Sequence, residues 1–249
     1  MQSFGMQMSQ ALSEIIGAIG APDFPAVAAQ AVARAIAFEL ATVVVHRDDA
    51  PPTLLFENLV AADGRQGVEN YLNATWRLNP MLAAGRGEGV FRAGDFAMHP
   101  PDETDAAGRL VVRAPDEELG FRTLGWPPQM EEVGLHFRAC GGVVELGCYR
   151  PRRPQPTCRL DDLAALREPV AAAFRRHAEL TAAREVARAD ALSPREREIV
   201  DLLLIGCSSE AIALRLGIGR FTVKDHRKRI FRKLGIGSLA ELFALQRNG

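Results

Sequence analysis

The sequence predicts an α+β chain in two parts: an N-terminal α/β/α domain on a small, mostly antiparallel sheet, then an all-α domain of four helices. Three observations predict it. In "EEVGLHFRACGGVVELGCYR" (131–150), Val133, Leu135 and Phe137 alternate, Gly141-Gly142 turn the chain, and Val144, Leu146 and Cys148 alternate back, which is the pattern of a hairpin with one apolar face. Helical patterns flank that hairpin in sequence, and a sheet with one apolar face needs such helices to cover it. From Ser193 onward only short helical segments with their own caps remain.

The elements follow in order. "EIIGAIG" and "FPAVAAQAVARAI" read as helices. "FELATVVVH" (38–46) is β-branched and strand-like, and "PPTLLFENLV" (51–60) is a second strand after a Pro-Pro turn. "RQGVENYLNATWRLNPMLAA" carries Val68, Tyr71, Leu72 and Trp76 at helical spacing and stops near Pro80. After the hairpin, "RPRRPQPTCR" (150–159) has three prolines in six residues and reads as a surface loop. From Leu160 the chain is alanine-rich and helical in pattern, with a kink expected at Pro169. The expected domains are 1–186 and 192–249, with a hinge at 187–191.

The 249 residues carry a formal net charge of −1, unevenly spread: residues 1–190 balance to −6 and residues 191–249 to +5. An acidic body with a basic tail points to a polyanion as the tail's partner. All three lysines, Lys224, Lys228 and Lys233, fall in one ten-residue stretch. The N-terminus lacks a basic region and carries Glu14 in its apolar run, so it does not read as a signal peptide. No run reaches about 18 uninterrupted apolar residues, so no membrane span is expected. Cys140, Cys148, Cys158 and Cys207 form no C-x-x-C pair and no zinc spacing, and are read as free thiols in a reducing cytoplasm. No metal, cofactor or catalytic residue is expected.

The C-terminal quarter is the most specific part. "LSPREREIVDLLLIG" opens with Ser193 at the N-cap, Pro194 at the first helical position and Glu196 three residues on, a capping box. Ile199, Leu202, Leu203 and Ile205 supply its apolar face, and Gly206 ends it. Ser208 caps a second short helix with Ile212, Ala213 and Leu216 inward. A third begins near Arg220, with Val223, Ile230 and Leu234 on one narrow stripe. Ser238 and Glu241 cap a fourth. Two short helices, a glycine-bearing turn and a longer basic helix form a helix-turn-helix pattern. Lys224 and Lys228 are one turn apart, with Thr222, Asp225 and Arg229 near them and away from the stripe, an arrangement suited to reaching phosphates and base edges in a major groove.

Residues 192–242 resemble the LuxR-type (LuxR/FixJ/GerE) four-helix DNA-binding domain. The residues that carry the resemblance are "LSPRERE", the glycine-serine-"IA"-"LGI" pattern of 206–218, "TVK" with His226, "RKLG" and Ser238 with "EL". The resemblance implies that Lys224, Asp225 and Lys228 face the groove. It also implies that Arg220, Thr222 and Lys233 touch phosphates, and that the fourth helix pairs two protomers into a homodimer on double-stranded DNA. Three positions depart from the family. Ala211 stands where a glutamate is usual, Phe221 replaces a polar residue before Thr222, and Asp225 is acidic where a small apolar residue is common.

The first domain has no lysine, which excludes a phosphoacceptor receiver. It has no phosphate-binding G-x-x-x-x-G-K-[ST] loop and no G-x-S-x-G elbow. Its acidic pairs, Asp48-Asp49, Glu131-Glu132 and Asp161-Asp162, are read as lying at turns or helix starts, where solvent or the helix dipole accounts for them. "ENYLNATWRLNPMLAAGRGEGVFRAGDF" resembles part of the autoinducer-binding domain of quorum-sensing LuxR regulators, or a related GAF-like sensor. By that resemblance Tyr71, Trp76 and Asn79 line a ligand site, with Asn79 in place of the usual aspartate, and Trp126 as a further candidate. The expected protein is a cytoplasmic transcriptional regulator, sensor-like at its front, answering to a small ligand in a pocket of a few hundred cubic ångströms. The alternative is a ligand-independent transcription factor controlled by a protein partner or by its own abundance.

Overall fold

The computed structural model describes residues 4–48, 50–83, 87–96, 106–153 and 159–247. It divides into two compact units, residues 1–178 and 179–249, and the α+β class expected from the sequence is what it shows.

In the first unit, helices α1 (Phe4–Ala18) and α2 (Phe24–Ala35) lead into strands β1 (Leu40–His46) and β2 (Thr53–Glu57). Then come a 3-10 turn at Leu59–Ala62, helix α3 (Arg65–Asn73), a second 3-10 turn at Thr75–Leu78, and the single turn α4 (Pro80–Ala83). Strands β3 (Gly89–Arg92), β4 (Val111–Arg113), β5 (Phe121–Thr123), β6 (Met130–Ala139) and β7 (Gly142–Pro151) follow, and α5 (Leu160–Asp190) ends the unit and runs on into the next. Five strands form one antiparallel sheet in the order β2-β1-β7-β6-β3, and β4 and β5 pair separately.

The predicted hairpin is β6 and β7, with Leu135 opposite Leu146 and Val133 opposite Cys148. Its two loop residues are Cys140 and Gly141 rather than the glycine pair, because Gly142 already faces Ala139 in the ladder. Both loop residues have positive φ, 54° and 72°, the geometry that matches the twist of a two-residue hairpin. The helix expected from Arg65 to near Pro80 is interrupted. Ala74 leaves the helical region at φ −147°, ψ −51°, and Asn79 is extended at ψ 112°, as the residue before a proline prefers. In α5 the helix continues through Pro169 and ends at Asp190, within the expected hinge 187–191.

Alternation along the strands sorts side chains onto two faces. Ala41, Val43, Val45, Val133, Leu135, Phe137, Val144, Leu146 and Cys148 turn to one face and are buried against α1, α2 and the first half of α5, where Leu163, Leu166, Val170 and Phe174 are fully covered. Arg150 shares that face. The loop reading of 150–153 fails at this residue: Arg150 lies within β7, fully buried, with Nε and Nη2 at 2.8 and 2.6 Å from Glu131 Oε2. Its guanidinium also sits 4.3 Å from the centroid of the Phe38 ring. Glu131-Glu132 is therefore not a solvated turn pair, since both belong to β6. Asp161 and Asp162 do begin a helix, in the first turn of α5. Asp49 and Cys158 lie outside the described residues.

The opposite sheet face is polar: Thr42, His46, Glu132, His136, Glu145 and Tyr149. Gly134 and Gly147 face each other at its centre. A Cβ on Gly147 would overlap the Tyr149 hydroxyl, so the bare backbone there is what lets the Tyr149 ring lie along the sheet.

The second unit has its own core. Helices α6 (Pro194–Leu204), α7 (Ser209–Leu216), α8 (Arg220–Leu234) and α9 (Leu239–Arg247) enclose Leu192, Ile199, Leu203, Ile212, Val223, Ile230, Leu234 and Leu242. The capping box at Ser193 is formed: Ser193 Oγ accepts from the Glu196 amide at 3.3 Å, and Glu196 accepts from the Ser193 amide at 2.8 Å. Gly217 and Gly235 end α7 and α8 in the left-handed conformation, where a side chain would be strained. Among the described residues no helix is long and apolar enough to cross a membrane.

Candidate functional site

Over the polar sheet face of the first unit, α3, the turns 75–83 and the segment 117–127 line a half-open cavity of about 110 Å³, smaller than the sequence led us to expect. Part of its lining is apolar, with Leu78, Met81, Leu119, Phe121 and Met130. The rest includes Tyr71, Trp126, Tyr149, Asn79, Glu132 and Glu145. Trp126 is held by two features of α3. Asn70 Nδ2 donates to the Leu124 carbonyl at 2.7 Å, and Gly67 allows the Trp126 backbone to approach where any Cβ would overlap it.

Glu145 is the hub of this site. It is 3% exposed, and a carboxylate so placed must be fully hydrogen-bonded. Tyr71 Oη donates to Oε2 at 2.7 Å, His46 Nε2 lies 2.6 Å from the same oxygen, and Asn79 Nδ2 donates to Oε1 at 2.9 Å. His136 Nε2 stands 3.8 Å from Oε1, an ion-pair distance rather than a hydrogen bond. Burial alone would raise the Glu145 pKa, but His136 and His46 together outweigh it and hold the carboxyl well below the usual range. Glu132 goes the other way. Burial, and then the charge on Glu145, push its carboxyl up to about 8. Tyr149 Oη donates to Glu132 Oε1 at 3.1 Å. Neighbouring carboxylates are thus driven apart, one ionised and one protonated at neutral pH.

Tyr71, Asn79 and Trp126, predicted from the sequence, come together here. Trp76 does not line the cavity; it is buried beside it, its ring centroid 6.2 Å from that of His46. Asn79 does not turn its amide toward open space. Its Nδ2 donates to both Glu145 and Tyr71, and its Oδ1 accepts from the Met81 amide at 3.0 Å. Sequence reading missed His46, Glu132, His136, Glu145 and Tyr149. The signal was in the hairpin itself: Glu132, Gly134, His136 and Glu145, Gly147, Tyr149 alternate with the apolar residues that were noticed.

In the second unit, Val223, Ile230 and Leu234 point α8 into the core. On the outer side Arg220, Thr222, Lys224, Asp225, Lys228 and Arg229 are all exposed. Among the described residues Lys228 and Arg229 take part in no ion pair, whereas Arg220 Nε lies 2.7 Å from Glu210 Oε1. Phe221 is 80% exposed, with Lys224 Nζ 6.0 Å from its ring centroid. Lys233 differs from the other basic residues. Its ammonium is 2.6 Å from the buried Glu196 carboxylate, and chiefly for that reason the Glu196 pKa falls to about 2. Lys233 therefore ties the C-terminal turn of α8 to the capping box of α6. Arg227 Nη1 donates to Ser209 Oγ at 3.1 Å and ties α8 to α7.

Residues 190–245 match the family model described as GerE, bacterial regulatory proteins, luxR family. The C-terminal domain is of the LuxR type. The chain is 57% identical over 56 residues to a putative HTH-type transcriptional regulator in the exeN 3′ region of Aeromonas salmonicida, covering 22% of this chain and 29% of that one. It is 47% identical over 53 residues to the transcriptional regulatory protein MctR of Rhizobium johnstonii, covering 21% and 25%. The chain therefore spans less than a third of the length of these curated relatives. Among solved structures, the VqsR LBD domain from Pseudomonas aeruginosa is similar at 15% identity and a TM-score of 0.49, covering 69% of this chain and 96% of that one.

Proposed function

We propose that this chain is a DNA-binding transcriptional regulator whose LuxR-type domain reads the major groove with α8, as a homodimer, under the control of a small ligand bound in the first unit. The observation that carries the DNA-binding half is the outer face of α8. It presents Lys224, Lys228 and Arg229 to solvent on a helix whose opposite side is fixed in the core, which is how a reading helix must be mounted. Lys224, Asp225 and Lys228 contact base edges, and Arg220, Thr222 and Arg229 position the helix on phosphates. Asp225 would repel phosphate but accepts from a cytosine amino group. Lys233 is assigned to the fold. The ligand half is supported by the cavity over the polar sheet face, which is lined by apolar side chains and a few polar groups, the usual composition of a small-molecule site.

The experiment is selection of duplexes from a random pool by the full chain, followed by fluorescence anisotropy on the winner and on a scrambled duplex. The expected winner has two-fold symmetry, with half-sites about one helical turn apart. Lys228→Ala should weaken the selected duplex by about 1–3 kcal/mol and relax preference at one base pair. Equal affinity for selected and scrambled duplexes would refute the reading.

A further inference from the structure

We infer that the cavity of the first unit is built for a ligand bearing an alkylammonium group, held in a corner of three aromatic rings beside a carboxyl; this rests on the reading of that cavity as a ligand site. Tyr71, Trp126 and Tyr149 all line it. Trp126 and Tyr149 have ring centroids 5.4 Å apart at 69°, and Tyr71 and Trp126 6.1 Å apart at 55°. None of these pairs stacks face to face, so the rings form a corner rather than a column. The negative faces of aromatic rings attract a cation, most strongly one already stripped of water.

The hydrogen-bond inventory points the same way. The hydroxyl of Tyr71 is turned to Glu145 and that of Tyr149 to Glu132, while Asn79 gives its amide hydrogens to Glu145 and Tyr71. These three side chains therefore offer a ligand ring faces and lone pairs, not donors. Glu132 has one oxygen bonded to Tyr149, and its second oxygen has no hydrogen-bond partner among the described residues. The ionisable groups on the wall are lopsided as well: Glu117, Glu118, Glu132 and Glu145 against the single base Arg122, whose Nε lies 3.1 Å from Glu117 Oε1. A positive ligand finds a carboxyl and three rings.

Glu132 then serves as the counter-ion. The ionisable groups that face it are Glu145 and Tyr149 from β7, Glu118 from the segment before β5, and Tyr71 from α3, with the Glu117–Arg122 pair across the cavity. Burial, and then the charge on Glu145, raises its carboxyl pKa, and none of these close neighbours is a cation. An ammonium against it lowers that value again, so capture of the cation releases a proton to solvent, and a neutral ligand releases none.

Isothermal titration of the full chain with choline, and with the uncharged isostere in which carbon replaces the quaternary nitrogen, tests this directly at neutral pH. Repeating it in two buffers of different ionisation enthalpy counts the proton. The expected result is that choline binds about tenfold or more tightly than the isostere, a preference within the range of desolvated cation–π contacts. Proton release should accompany choline only. Glu132→Gln, nearly isosteric, should abolish the proton release and most of the preference. If the isostere binds as well as choline, the ammonium inference is wrong while the cavity survives as a ligand site. If neither binds at millimolar concentration, the ligand site falls with it.

Discussion

Replacing Glu145 with glutamine tests the polar face of the sheet at its hub. The shape is kept, so no void is created, but one carboxylate oxygen becomes an amide donor. Were the new NH₂ to replace Oε1 it would face Asn79 Nδ2, 2.9 Å away. Asn79 cannot turn to accept, because its Oδ1 already holds the Met81 amide. The NH₂ must then replace Oε2, opposite Tyr71 Oη at 2.7 Å and His46 Nε2 at 2.6 Å. The phenol has to rotate and accept, and the imidazole has to present a bare nitrogen. Two charge-assisted bonds become neutral ones, at about 1–2 kcal/mol each once desolvation of the charge is no longer needed, so a loss of about 2–4 kcal/mol is expected. For a unit of this size that lowers Tm by roughly 5–15 °C. Both tryptophans, Trp76 and Trp126, lie in the first unit, so fluorescence during urea unfolding reports that unit alone. The pH dependence has a definite sign. Glu145 has a folded pKa depressed below the ordinary 4.5, so its contribution is complete above that pH and is lost as pH falls below it. The wild type should therefore approach the variant in acid. A variant within 0.5 kcal/mol of wild type at pH 7 would refute the account of Glu145 as the hub (a threshold of about the error of such extrapolations).

Two further substitutions probe what holds each unit together. Arg150→Met leaves the Glu131 carboxylate buried without its partner and should cost about 3–5 kcal/mol, while Arg150→Met with Glu131→Leu should recover most of that; the same urea titration reads both, and a double variant no better than the single would overturn the ion-pair argument. Lys233→Met should loosen α6 rather than abolish DNA contacts, by about 1 kcal/mol given that the lysine is partly exposed. Because the Glu196 pKa is depressed to about 2 from 4.5, the wild-type contribution is present above pH 4.5 and fades toward pH 2, so the variant's deficit should shrink in acid. Hydrogen exchange of the α6 amides measures it, and unchanged protection together with weakened DNA binding would return Lys233 to the phosphate contacts.

The parts of this fold legible in the sequence are those where a single period dominates. The β6–β7 hairpin shows its apolar face at every second residue, and α8 shows its stripe at Val223, Ile230 and Leu234, each fully or nearly buried. The caps at Ser193 and Ser208 were legible because one residue type at one position does the work. β3, β4 and β5 were not, since each has only three or four residues, too few for a period to show. Arg150 was misplaced because arginine beside prolines reads as surface, and nothing local reveals that Glu131 waits across the strand pair. Glu145 was overlooked for a related reason. A carboxylate in an alternating strand is ordinarily assigned to the solvated face, and only α3 and the segment 117–127, packed over that face, make it interior. The site is thus a product of tertiary covering, while the scaffold is a product of local pattern.

The division of labour along α8 has a consequence for how this protein could change its target. The residues that mount the helix, Val223, Arg227, Ile230, Lys233 and Leu234, and those that face outward, Phe221, Lys224, Asp225, Lys228 and Arg229, interleave along the helix, the second set exposed. Sequence drift on the outer side therefore carries almost no folding penalty. If the outer row reads DNA as proposed, a lineage, or a protein engineer, could exchange it for another vocabulary of bases and leave the chassis untouched. Three lysines in ten residues then divide by inheritance: two free to vary, and one bound to stay.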